Sequence, residues 1–162
     1  MAVDAIKGES SMARVAREAD MLGLEIETKV MDETTRTAQD AANACGCSVG
    51  QIIKSLIFER EDNANLVLVL VSGANNADLD KLHAHFGAGL NRADPRKIRE
   101  LTGFAIGGVA PIGHLIHLDT VMDADLLQYD TVWAAAGRPD SVFNVAPKKL
   151  AEAIKCQVVA LS

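Results

Sequence analysis

Residues 66–72 read Leu-Val-Leu-Val-Leu-Val-Ser. Side chains alternate faces along a strand, so this run is apolar on both sides and has to be covered on both. A chain that contains it must fold around an interior strand. The residues just before it support a pairing. "KSLIFER", 54–60, carries a second strand pattern, and the polar "EDNAN", 61–65, between them has the composition of a hairpin turn.

The remaining segments supply cover for that sheet. "SSMARVAREADMLGL" places Met12, Val15, Ala16, Ala19 and Leu22 at helical spacing, with Ser10 or Ser11 as cap and Gly23 as terminator. "TAQDAANACG" reads as a short helix capped by Thr37, and "SVGQII" as a further turn of helix. "NADLDKLHAHFG" is a helix. In "ADPRKIRELTG", Asp94 is the N-cap, Pro95 the first helical residue and Gly103 the residue past the end. Strands are expected at "EIETKVM", "HLIHLDTVM", "TVWAAAG", "SVFNVA" and "QVVALS", with a helix at "PKKLAEAIK". Strands joined mostly by turns, with helices inserted, predict an α/β (α+β) fold with a mixed, largely antiparallel sheet. At 162 residues without a linker or repeat, residues 1–162 are expected to form one domain.

Composition narrows the function. About half the residues are hydrophobic but only 4% are aromatic, so the core is aliphatic. No apolar run approaches the roughly 20 residues of a membrane span, and "MAVDAIKGES" lacks the pattern of a secretory signal. Three cysteines make no disulfide framework, which suits a reducing cytoplasm. A net charge of −6 argues against tight, nonspecific nucleic-acid binding, and no DNA partner is expected. It leaves room for local contact with one end of an RNA.

Few residues carry chemistry. Lys54 shares a strand face with Leu56 and Phe58. It is either a stem that snorkels to solvent or a cation at a pocket mouth, holding a phosphate or carbonyl oxygen. "TGFAIGGVAPIGH", 102–114, is nearly uncharged and contains Gly107, Gly108 and Pro111. It is either a bend in a sheet or a loop whose main chain approaches a ligand closely. The histidine spacing fits no metal: His83 and His85 are two apart on a helix, and His114 and His117 fall on opposite faces of the expected strand. His114 could border a pocket. Cys45 and Cys47 lack a second pair. Arg92, Arg96, Lys97 and Arg99 form a basic cluster around one helix start, either a solvated face or a path for RNA backbone.

Taken in order, "TAQDAANACGCSVGQIIKSLIF", "LVLVLVSG", "TGFAIGGVAPIGH" and "AAAG" resemble the YbaK/EbsC family, the prolyl-tRNA-synthetase-associated editing domains. The resemblance runs from about Glu25 to the C-terminus. It implies a barrel-like mixed sheet and a metal-free, cofactor-free deacylase that removes wrong amino acids from tRNA, typically tRNA for proline. Lys54 matches the family's pocket lysine. Gly107, Gly108, Val109, Ala110 and Pro111 match its G-x-x-x-P loop, and Gly137 its late small-residue turn. On that reading Lys54 would fix the terminal adenosine phosphate or a nearby oxygen, and small apolar side chains such as Ile53, Val69 or Val109 would limit the accepted amino acid by size. The expected partners are the acceptor end of aminoacyl-tRNA and prolyl-tRNA synthetase. A noncatalytic tRNA-end or nucleotide-binding module is the alternative.

Overall fold

The computed structural model describes residues 10–32 and 37–162. Residues 1–9, which carry most of the segment read as lacking a secretory signal, lie outside the described residues.

The Leu-Val run is where the fold starts. It forms β3 (Leu66–Ser72), buried along its whole length. Its alternation sorts residue types between two cores. Leu66, Leu68 and Leu70 face the larger one, with Val15 and Ala19 of α1 (Ser11–Met21), Ile98 and Leu150. Val67, Val69 and Val71 face a smaller one, with Leu82, Leu90, Val121 and Leu161. β2 (Ile53–Arg60) pairs antiparallel with β3 over seven residues, from Ile53 opposite Ser72 to Glu59 opposite Leu66.

Five strands make the first sheet, in the order β4-β2-β3-β5-β8, where β4 is Leu90–Arg92, β5 is Asp119–Asp123 and β8 is Gln157–Val159. β3–β5 and β5–β8 are parallel. Three strands make the second, antiparallel sheet, β1-β7-β6, from β1 (Glu27–Val30), β6 (Val132–Ala135) and β7 (Ser141–Val145). An isolated bridge between Ile52 and Trp133 joins the two sheets. The mixed α/β architecture is thus the one expected, with the strands in two bridged sheets rather than a closed barrel.

The helix signals fall where the sequence puts them. Ser10 caps α1 through its hydroxyl, which accepts from the Ala13 N–H at 3.1 Å. Thr37 caps α2 (Ala38–Cys45), and a 3-10 turn follows at Val49–Gln51. α3 is Leu79–Phe86. α4 (Pro95–Thr102) starts on Asp94 and stops at Gly103, which is left-handed. α5 is Pro147–Ile154. Among the described residues no helix is long and apolar enough to cross a membrane.

One expected strand is mostly absent. Residues 114–118 are irregular, and β5 begins only at Asp119. The reason lies in α1. Buried Arg14 donates from Nε to the Gly113 carbonyl at 3.1 Å and from a terminal nitrogen to the Gly103 carbonyl at 2.7 Å. Glu18, one turn on, accepts the Gly113 N–H. These bonds hold the chain just before the expected strand, and the Leu115 N–H is then taken by the Thr102 carbonyl at 3.1 Å, so the stretch starts as a braced loop. The brief β4, opposite Phe58–Arg60, is a strand that the sequence pattern does not reveal.

Candidate active site

Arg14 holds the loop between α4 and β5 at Gly103 and Gly113, and the stretch between those points shapes a surface. Gly108 N–H donates to the Ala105 carbonyl at 3.0 Å, closing a turn in which Gly107 has φ +90°. That is the third position of the turn, where a type II geometry calls for glycine. Gly107 is exposed, while Gly108, Val109, Ala110 and Pro111 follow it into the interior, all four buried.

Gly107 and Lys54 line one cleft of about 360 Å³. β2 contributes Ile53, Lys54, Ser55 and Leu56, and the loop contributes Gly107 and Val109. The opposite wall is Trp133, Ala134 and Ala135 of β6 with Pro139, Ser141 and Val142; Thr37, Ala38 and Ala41 of the α2 start complete it. The cleft opens here because β4 covers only Phe58–Arg60, leaving the first half of β2 to face the second sheet.

Lys54 is the one charged side chain among the described residues of this lining. Burial lowers its pKa from the ordinary lysine value, and the Asp123 carboxylate works in the opposite sense. Its ammonium donates to the Asn75 carbonyl. Three N–H donors are available on such a group, so two remain for a ligand. Ser55, on the other face of β2, has a buried hydroxyl with no hydrogen-bond partner among the described residues. Gly107 N–H likewise donates to no described main-chain acceptor. A cation and an unengaged main-chain donor therefore border one mainly apolar hollow. That set suits a small ligand with a carbonyl or phosphate oxygen.

The sequence candidates separate into two groups. Ile53, Lys54, Gly107 and Val109 meet at the cleft. Val69 points into the smaller core on β3 and does not line it. Ala110 and Pro111 are packed behind the loop. Gly137, at φ +109°, lies against the start of α1, where an added Cβ would stand 2.8 Å from the Ser11 carbonyl carbon. His114 lines a different hollow, with Glu18 and Ile116, its ring edge-on to Phe104 at 5.0 Å. Both its ring nitrogens are shut away from solvent, and burial holds its pKa down at about 4; the Ala110 main chain opposes that shift and Arg14 adds to it. Arg92, Arg96 and Arg99 are exposed, but Lys97 is tied to Glu59 at 2.6 Å and to the Ala64 carbonyl at 2.6 Å. None of the four lines the cleft.

Trp133 is the wall that sequence reasoning missed. It is the chain's single tryptophan, and its place beside "AAAG" was the available signal. The thiols offer no nucleophile there: burial pushes Cys45 up to about 11 and raises Cys156. Among the described residues no three His, Cys, Asp or Glu side chains group as metal ligands.

Comparison with known proteins points the same way. The family model described as "Aminoacyl-tRNA editing domain" matches residues 32–153. The chain is 31% identical over 121 residues to "Uncharacterized protein YwhH" of Bacillus subtilis, covering 75% of this chain and 76% of that one. It is 26% identical over 117 residues to the Enterococcus faecalis protein named "Putative Cys-tRNA(Pro)/Cys-tRNA(Cys) deacylase EbsC", covering 70% of each. A solved structure described as "a putative trans-editing enzyme for prolyl tRNA synthetase" superposes with a TM-score of 0.86 at 43% identity, covering 95% of this chain and 98% of that one. With the editing-domain model spanning well over half its length, the chain belongs to the YbaK/EbsC family of aminoacyl-tRNA editing domains.

Proposed function

We propose that the protein is a trans-acting deacylase that hydrolyses the ester between a small amino acid and the terminal ribose of a mischarged tRNA, tRNA for proline being the preferred carrier. The observation that carries this reading is the meeting of Lys54 and Gly107 on one cleft in a chain of the editing family. An aminoacyl ester is already activated. Its hydrolysis needs a positioned water and stabilisation of the charge that grows on the carbonyl oxygen, rather than a protein nucleophile. Water adds to the carbonyl carbon, the bond to the ribose oxygen breaks, and that oxygen takes the proton.

In this scheme the Gly107 main chain faces the ester carbonyl, and the Lys54 ammonium holds an oxygen of the terminal nucleotide. A ribose hydroxyl of the tRNA orients the water. Trp133, Ala134 and Val109 form apolar walls around the aminoacyl group, and Ser55 supplies a hydrogen bond that a ligand would complete. Apolar walls exclude what is too large more sharply than they reject what is too small, at about 1–3 kcal/mol per methylene. Arg92, Arg96 and Arg99 are the exposed cations available to the acceptor stem. Prolyl-tRNA synthetase is the partner that would present the tRNA, and the cytoplasm the compartment in which it would do so.

The test is a panel of tRNA for proline charged with Ala, Cys, Ser, Thr and Pro, assayed for amino-acid release. Release of one or more small residues with Pro spared supports the deacylase. Binding without release of any of them would make the chain a noncatalytic tRNA-end module.

A further inference from the structure

The cleft lysine is held from behind by a buried acid. Asp123 ends β5 and is fully buried. Its Oδ1 accepts the Asp125 N–H at 3.1 Å, which caps the 3-10 turn Ala124–Gln128. Its Oδ2 accepts two donors, the Ser72 N–H at 3.1 Å and the Asn75 side-chain amide at 2.9 Å. The same Asn75 amide donates to Asp125 at 2.7 Å, and Asn75 N–H donates back to the Ser72 carbonyl at 2.9 Å. Together these bonds fix a turn just past β3. The main-chain carbonyl of Asn75 in that turn is the acceptor of the Lys54 ammonium.

We propose that Asp123 and Asn75 are positioning residues for Lys54: Asn75 aims the ammonium through its main-chain carbonyl, and Asp123 fixes Asn75 and places a counter-charge on the same side of the fold. The proposal rests on the reading that Lys54 acts on the substrate. A buried carboxylate needs hydrogen bonds or a cation to be tolerated. Asp123 has three hydrogen bonds, and the cation it acts on is two strand pairings away, on β2 across β3, at the mouth of the cleft. The other charged group beyond Asn75 is Asp125, on the 3-10 turn; the described cleft residues of β2, β6, β7 and the loop add none besides Lys54.

The experiment uses the whole chain and two readouts. Trace labelling with acetic anhydride across pH, quantified at Lys54 by mass spectrometry, reports the amine's titration without any need for activity. Release of Ala from Ala-tRNA for proline at pH 7 reports catalysis. Asp123→Asn removes the charge, and the Lys54 labelling midpoint should fall by about one pH unit, with kcat/KM down about tenfold. Asn75→Ala leaves the charge in place. The midpoint should then stay put while kcat/KM again falls about tenfold, which a purely structural role for the pair would not separate. An unchanged midpoint in a folded Asp123→Asn variant overturns the proposal. If that variant does not fold, Asn75→Ala with a rate within twofold of wild type overturns it instead. Lys54→Ala keeps the two readings apart: a full rate there removes Lys54 from the reaction, yet the labelling comparison still reports on Asp123.

Discussion

Replacing Lys54 by methionine separates the use of the charge from its cost. In the folded chain the ammonium makes one hydrogen bond, to Asn75, and sits where burial disfavours it. Losing a charge-assisted bond of that kind costs about 1.5–3 kcal/mol. Methionine keeps the apolar stem packed and removes the burial penalty, so the two effects offset. Net stability should shift by less than about 1 kcal/mol, a change of no more than about 2–4 °C in melting temperature for a chain of this size. Catalysis has no such offset. A charge-assisted bond to a substrate oxygen is worth about 2–3 kcal/mol, so kcat/KM should fall roughly 30- to 150-fold. The assay pairs a thermal melt with amino-acid release from the best substrate of the mischarged panel. A melting temperature that drops by about ten degrees, well beyond that range, would make Lys54 a structural residue. A rate within twofold of wild type would remove it from the reaction.

Three further outcomes follow from other parts of the structure. His114 ordinarily titrates near 6.5 but is held at about 4 when folded. The unfolded chain therefore takes up a proton that the folded chain refuses, so stability is full above pH 6.5 and should fall by about 2–3 kcal/mol as pH drops to 4. His114→Phe should flatten that part of a denaturant-midpoint profile, and an unchanged slope would refute it. Gly137→Ala meets both a positive φ and the Ser11 main chain, and should destabilise by about 3 kcal/mol, whereas Gly107→Ala finds Pro139 only at 3.8 Å and should cost about 1–2 kcal/mol of backbone strain. Equal melting temperatures for the two would contradict that ranking. Alanine at Arg96 or Arg99 should lower the salt slope of kcat/KM by about 1 for each phosphate that the side chain neutralises, with little change in kcat; a fall confined to kcat would argue against an RNA path there.

Much of the fold was legible in residues 66–72, whose Leu and Val alternation already separates the two cores. The helix starts were legible too, because caps such as Ser10, Thr37 and Asp94 act on the nearest main-chain donors. What pattern could not show was competition from afar. Nothing local says that Arg14 and Glu18 will take the Gly113 main chain and turn an expected strand into a braced loop. The site divides along the same line. Lys54 stood out as a cation in an apolar strand and Gly107 as a glycine in an apolar loop. Trp133, Ser55 and the Asp123–Asn75 support depend on which strand ends beside which, a property of sheet order. Val69 is expected at the pocket as a small apolar side chain, but the parity of β3 puts it on the other face.

What occupies the hollow between the two sheets decides whether Lys54 and Gly107 act on one substrate. The direct measurement is a crystal structure with 3′-alanylamino-3′-deoxyadenosine, a stable stand-in for the charged tRNA terminus. The expected density lies between Trp133 and β2, with a ligand oxygen on the Lys54 ammonium and the amide carbonyl against Gly107. An analogue seated elsewhere, such as the groove between Arg60 and His117, with Lys54 still engaged only by Asn75, would contradict it.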